Sequence, residues 1–461
     1  MRFFPLISLF ILAACASEMR HDGPASNRAD RRNSQATMAL PPMKYFTTAS
    51  ISPPQRSNTD IARDFLDLSF RMESGRIMPI MTRFEGPITV RVTGNAPPSL
   101  GPDLDQLLNR LRNEANIPIQ RIQAAKLANI TIEVIPKAKL QRLVPQAACF
   151  VVPRISSWAQ YRKQRNTSLT RWSTLQSRQQ IAIFLPGDVS PQEVRDCLHE
   201  ELAQALGPLN DLYRLPDSVF NDDNFQTVLT GFDMLILRAY YAPEMHNGMT
   251  RNQAGIALPN LLARLNPRGQ QIASHPFPRP TPRAWIDAIE AALAPKGTPA
   301  ERRKFAITAV NIARNFGWND TRMAFSLYAL GRLSLSHKTD TALNAFLNSG
   351  AIYARNDSRV QLAHVAMQLA AFSLSAGNGT DTLKLVNANL SAVANSKNAA
   401  LLATLLMIKA EALDLLGRAS QAHAVRLDSL AWARYGFGSD KAVRNRLAEI
   451  SALTPVRTPK S

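Results

Sequence analysis

The hydrophobic pattern changes character several times along the chain, and each change marks a region. Phe3 to Ala14 form an apolar run without a charge, too short for a bilayer-spanning helix. From Ala16 to about Asn58, apolar periodicity fades among Ser, Arg, Asn and Pro, a composition that buries too little surface to fold. Order is expected from Ile61-Ala62-Arg63-Asp64-Phe65-Leu66, where apolar residues return at helical spacing. Ile88-Thr89-Val90-Arg91-Val92 then alternates with the period of a strand. Ile130 to Ile135 and Ile181 to Leu185 predict two more strands. Helical spacing fills Leu104 to Ala115 and Ser190 to Leu206, the latter opened by a Ser-Pro pair suited to a cap and first turn. Strands and helices in this order predict an α+β layer domain.

From about Arg283 the strand patterns vanish and Ala and Leu dominate. Met323 to Leu335, Val360 to Leu374 and Leu401 to Leu416 form three similar helical segments. Each leads to a shorter one, centred on Ala342, Thr382 and Ala422, which are forty residues apart by subtraction of their numbers. Gly417 stands where a helix C-cap glycine belongs. That period with paired helices is expected of an α-solenoid, and it resembles tetratricopeptide repeats without their full signature.

Composition adds a charge problem. The 461-residue chain carries a formal net charge of +19, with arginines spread along its whole length. No stretch after the first is long and apolar enough to span a membrane. The opening accounts for part of this. Met1-Arg2, the apolar run and Leu12-Ala13-Ala14-Cys15 fall in the order of a signal peptide. They resemble the lipobox of bacterial lipoproteins, which implies cleavage before Cys15 and its lipidation. Ala16, in place of an aspartate, implies the outer membrane. For an exported protein, an anionic envelope polymer or lipid headgroup is a more natural partner than nucleic acid. Cys149 and Cys197 are then an even pair in an oxidising compartment, which suggests a disulfide; two buried thiols are the alternative.

Chemistry concentrates in Cys197-Leu198-His199-Glu200-Glu201-Leu202-Ala203-Gln204-Ala205-Leu206-Gly207-Pro208-Leu209-Asn210-Asp211. Metzincin proteases carry HExxHxxGxxH, two ligands on one helical face, a general-base Glu and a glycine turn before the third ligand. Aligned on Gly207, Glu200, Gln204 and Asn210 occupy the ligand positions and Glu201 the general-base position. The segment resembles that frame with every histidine replaced. Asp217-Ser218-Val219-Phe220 falls where metzincins place the turn beneath the metal. Leu229-Thr230-Gly231-Phe232-Asp233, running into Tyr240-Tyr241, resembles the closing helix of matrixins. His199 is offset by about a hundred degrees from Glu200 on a helix and is expected to pack or lie at the surface. Asn221-Asp222-Asp223 is expected to cap a helix. No Walker loop, GxSxG or GxGxxG is present.

A second resemblance is to the domain of unknown function 2927 family, over roughly residues 60 to 270. It rests on Arg83-Phe84-Glu85-Gly86-Pro87-Ile88, the Cys-Leu-x-Glu-Glu-Leu-x-Gln-x-Leu-Gly stretch, Ser218 to Asp223, and Gly248-Met249-Thr250. It implies no activity.

The expected organisation is therefore a signal peptide over 1–14 and a lipidated Cys15 with a disordered tether over 15–58. A zincin-like α+β domain over 59–270 and an α-helical repeat domain over 271–461 follow. The expected function is a binding or scaffolding module on a degenerate protease fold, at the periplasmic face of the outer membrane. Its partners would be the membrane through the lipid and a protein on the helical repeats. No cofactor is expected. Zinc enters only under the alternative of an active peptidase or peptidoglycan hydrolase with Glu201 as base.

Overall fold

The computed structural model of the protein describes residues 39–47, 52–276 and 280–455. Its described residues divide into two compact units: 52–189 with 193–276, and 39–47 with 190–192 and 281–455. The expected signal peptide and Cys15 lie outside the described residues.

The first unit opens with α1 (Asn58–Ser69), whose N-terminus is capped by the Ser57 side chain accepting from the Asp60 amide. Ile61, Phe65 and Leu68, spaced along one face, are fully buried. A five-stranded mixed sheet follows, built from β1 (Ile88–Gly94), β2 (Ile119–Arg121), β3 (Ile130–Ile135), β4 (Phe150–Pro153) and β5 (Ile181–Pro186). The strand order is β2-β1-β3-β5-β4. All pairings are parallel except that of β4 with β5. All six residues of β5 are buried, as expected for a parallel strand covered on both faces. The helices are α2 (Leu100–Ala115), α3 (Lys137–Leu143), α4 (Trp158–Gln164), α5 (Pro191–Leu206), α6 (Gly231–Tyr240) and α7 (Arg251–Leu265). Five strands replace the three that alternation predicts, because β2 has only three residues and β4 four. Segments that short cannot display a period.

The second unit contains α8 (Arg283–Leu293), α9 (Pro299–Asn315), α10 (Thr321–Ser334), α11 (Thr339–Arg355), α12 (Arg359–Ser375), α13 (Gly379–Asn395), α14 (Ala399–Leu415), α15 (Ala419–Phe437) and α16 (Asp440–Ser451). Each of α11 to α14 has 17 residues, and successive helices begin twenty positions apart. The links repeat as well. Asp357, Gly377, Lys397 and Gly417 all have positive φ. After three of these residues the next amide bonds back five residues: Ser358 to Tyr353, Asn378 to Ser373 and Arg418 to Leu413. These are Schellman closures, which satisfy otherwise orphaned carbonyls. Ala342, Thr382 and Ala422 take the fourth position of α11, α13 and α15 and are fully buried. The forty-residue repeat is thus a twenty-residue helix-and-link unit taken twice.

Residues 39–47, which fall inside the expected tether over 15–58, lie against α15. Phe46 stacks on Trp432 with ring centroids 4.4 Å apart, Tyr45 meets Tyr435 edge-on, and the Lys44 amide donates to the Ala431 carbonyl. Average composition hides this short aromatic cluster. The second unit takes up the chain again at Thr281. The residues before it are held by α1: the Asn58 side chain donates to the Leu262 and Asn266 carbonyls, and the His275 amide donates to Asp60.

Candidate functional site

Helix α5 carries the candidate residues. Glu200 and Gln204 are four apart and share a helical face; Glu201 and Ala205 lie on the neighbouring one. All are buried, and Glu201 has no exposed surface. The structure joins Cys149, immediately before β4, to Cys197 in α5 by a disulfide at a sequence separation of 48. Closing a loop of that length stabilises by about 4 kcal/mol in the chain-entropy model.

The end of α5 is closed by a residue that no motif contains. Arg178 is buried, and its guanidinium donates to the Gln204, Ala205 and Gly207 carbonyls. The Tyr241 hydroxyl takes the remaining carbonyl, that of Leu206, at 2.9 Å. The carbonyls left over at a helix C-terminus are thereby satisfied, by a cation placed at the negative end of the dipole. Burial lowers the pKa of Arg178 and raises that of Tyr241. Arg178 also lies over the Trp172 ring, 5.1 Å from its centroid. A Cβ at Gly207 would stand 3.1 Å from the Tyr240 ring, a tight contact that the ring would have to relieve by a few tenths of an ångström.

The side chains at the expected ligand positions are engaged elsewhere. The Gln204 amide donates to Glu73, in the loop after α1, at 3.4 Å. The Asn210 amide donates to the Asp67 carbonyl of α1 at 2.9 Å, and the Asn210 backbone amide bonds to the Leu68 carbonyl. The end of α1 and its following loop therefore occupy both amides. A carboxylate and two amides engaged in this way do not fit zinc, which prefers imidazole and thiolate. Among the described residues, no three His, Cys, Asp or Glu side chains gather as a metal set.

His199 packs inside. Its Nδ1 accepts from the Leu229 amide at 3.1 Å, which leaves the proton on Nε2. Burial, with Arg195 and Arg110 nearby, drives its pKa well below the usual value.

The turn at Asp217–Phe220 is pinned to the N-terminus of α6. Asp233 accepts from the Ser218 hydroxyl, the Val219 amide and the Thr230 amide, and forms a capping box with Thr230. Burial raises the Asp233 carboxyl to about 6, against the pull of those donors. Asn221 and Asp223 do not cap a helix as expected; they bond the loop to itself, Asp223 accepting from the Phe225 amide and Asn221 donating to the Leu215 carbonyl. Arg83 closes the far end of α6 by donating to the Tyr240 and Ala242 carbonyls, while Glu85 holds its other edge. Gly248-Met249 pairs with Met81 through backbone bonds. These motif residues build the scaffold around α5 and α6. Arg178 and Glu73 escaped the sequence, because isolated loop residues carry no period or motif.

Residues 58–260 match a family model described as a protein of unknown function, DUF2927. No curated protein and no solved structure matches the chain.

Proposed function

We propose that the protein is an envelope lipoprotein, anchored through Cys15, whose α/β unit keeps a zincin-like frame as a non-catalytic binding module. The observation that carries this reading is the engagement of the ligand positions: Gln204 with Glu73 and Asn210 with the Asp67 carbonyl. The complete burial of Glu201 supports it, since a general base must reach the proton it removes. The order of parts also fits the frame: site helix, Gly207, turn at Ser218, closing helix α6. The helical unit is read as a tetratricopeptide-like partner surface, supported by its regular repeat and by the extended segment 39–47 already seated on α15.

The oxidised full chain, supplied with zinc, is expected to cleave neither a mixed peptide library nor peptidoglycan. Cleavage that disappears in Glu201→Gln would instead establish the hydrolase alternative. For the anchor, labelled palmitate should enter the wild type, and Cys15→Ser should abolish labelling and membrane retention. Label persisting in the variant would refute the lipoprotein reading.

A further inference from the structure

Between Val134 and Gly187 the chain has no aspartate or glutamate. The same stretch contains α3, β4 and α4 and presents six exposed cations: Lys139, Arg142, Arg162, Lys163, Arg165 and Arg171. None of the six is ion-paired with a carboxylate among the described residues.

Packing gathers them on one surface. Leu140 of α3 and Trp158 and Tyr161 of α4 are buried in a common cluster with Phe150 and Phe184. With their apolar sides committed there, the helices turn Lys139 and Arg142, and Arg162 and Lys163, outward. The Arg165 guanidinium donates to the Leu143 carbonyl at 3.4 Å, tying the end of α4 to the end of α3. The Thr170 hydroxyl donates to the Arg165 carbonyl at 3.2 Å, which brings Arg171 alongside. The nearby carboxylates sit at the N-terminal ends of these helices, an end that only Lys139 of the six cations shares. Glu133 accepts from the Trp158 amide, Asp188 from the Lys137 amide, and Glu193 pairs with Lys137. No large hydrophobic side chain in the stretch is exposed, so the face suits adsorption to headgroups without insertion.

We infer that this face of the α/β unit docks on an anionic phospholipid surface. Six unpaired cations without acidic neighbours are complementary to phosphate-bearing headgroups. Preferring lipid over nucleic acid rests on the envelope reading.

The test uses full-length Cys15→Ser protein, so that no acyl chain contributes, sedimented with vesicles. Binding is expected with phosphatidylglycerol-containing vesicles, weakened by salt, and not with pure phosphatidylcholine. Charge reversal in R142E/R162E/K163E should weaken binding on the order of a hundredfold or more. The neutral R142Q/R162Q/K163Q should fall between, and both should keep the wild-type thermal transition. Reversal of three exposed cations of the helical unit, K304E/K338E/K384E, should leave most of the binding. Equal binding by the wild type and R142E/R162E/K163E would overturn the inference. So would tight binding to phosphatidylcholine, or patch-dependent preference for duplex DNA over the vesicles. Because the acyl site is absent, failure of Cys15 lipidation would leave the vesicle result standing, and the two outcomes are separable.

Discussion

Arg178→Ala is expected to destabilise the α/β unit by about 3–5 kcal/mol, because three buried carbonyls lose their donor together. The side chain is buried and donates to three carbonyls at the end of α5. Its removal leaves those acceptors without donors in a space too apolar to replace them with bulk water, and each unsatisfied buried group costs about 1–3 kcal/mol. It also opens a void beside Trp172. Arg178→Lys should recover only part of the loss, because one ammonium cannot span three carbonyls as a planar guanidinium does. Hydrogen exchange across residues 198–212 reads the local effect, and urea unfolding reads the global one. A loss below about 1 kcal/mol, within the range of a net ordinary hydrogen bond, would mean that Arg178 does not hold the end of the site helix.

The second large effect is a pH dependence centred on Asp233. Its carboxyl titrates at the ordinary 3.8 when unfolded and at about 6 when folded. The folded state therefore binds the extra proton between these values. The contribution to stability is fully present below about pH 4 and is lost as pH rises through 6. A difference of this size corresponds to about 3 kcal/mol. Asp233→Asn should flatten this component. Its oxygen can still accept from the Val219 and Thr230 amides, while its amide nitrogen replaces the oxygen that accepts from Ser218, whose hydroxyl must turn to accept instead. Asp233→Ala should destabilise at every pH, since the Val219 and Thr230 amides lose their acceptor. Chemical denaturation of wild type and Asp233→Asn at pH 4, 5, 6 and 7 reads the difference directly. Parallel profiles for the two proteins would refute this assignment.

Much of this arrangement was legible in the residues themselves. Strands β1 and β3 declared themselves by their β-branched residues, and β5 by its unbroken apolar run. The C-terminal helices did so because small buried residues recur at fixed positions. The frame around α5 was visible as spacing, Glu200 to Gln204 to Gly207 to Asn210. What occupies that frame was not. Gln204 meets Glu73 across 131 residues of sequence, and Asn210 meets Asp67 across 143; contacts at such separations leave no local signal. Arg178 was hidden for the same reason. The short aromatic segment Tyr45-Phe46 was lost among polar neighbours, although its partners on α15 are specific. His199, expected to pack or lie at the surface, is turned inward toward Leu229, where burial keeps it neutral.

On the proposed reading, the frame from Glu200 to Asn210 serves internal packing in place of metal binding, with Gln204 and Asn210 tied to α1 and the loop that follows it. Isothermal titration of zinc into the oxidised, metal-stripped full chain tests it most directly. The predicted result is no saturable binding, in wild type and in Glu200→Gln alike, because Gln204 and Asn210 are engaged elsewhere and amide oxygens are poor zinc donors. One tightly bound zinc per chain, lost on substitution of Glu200, would contradict it.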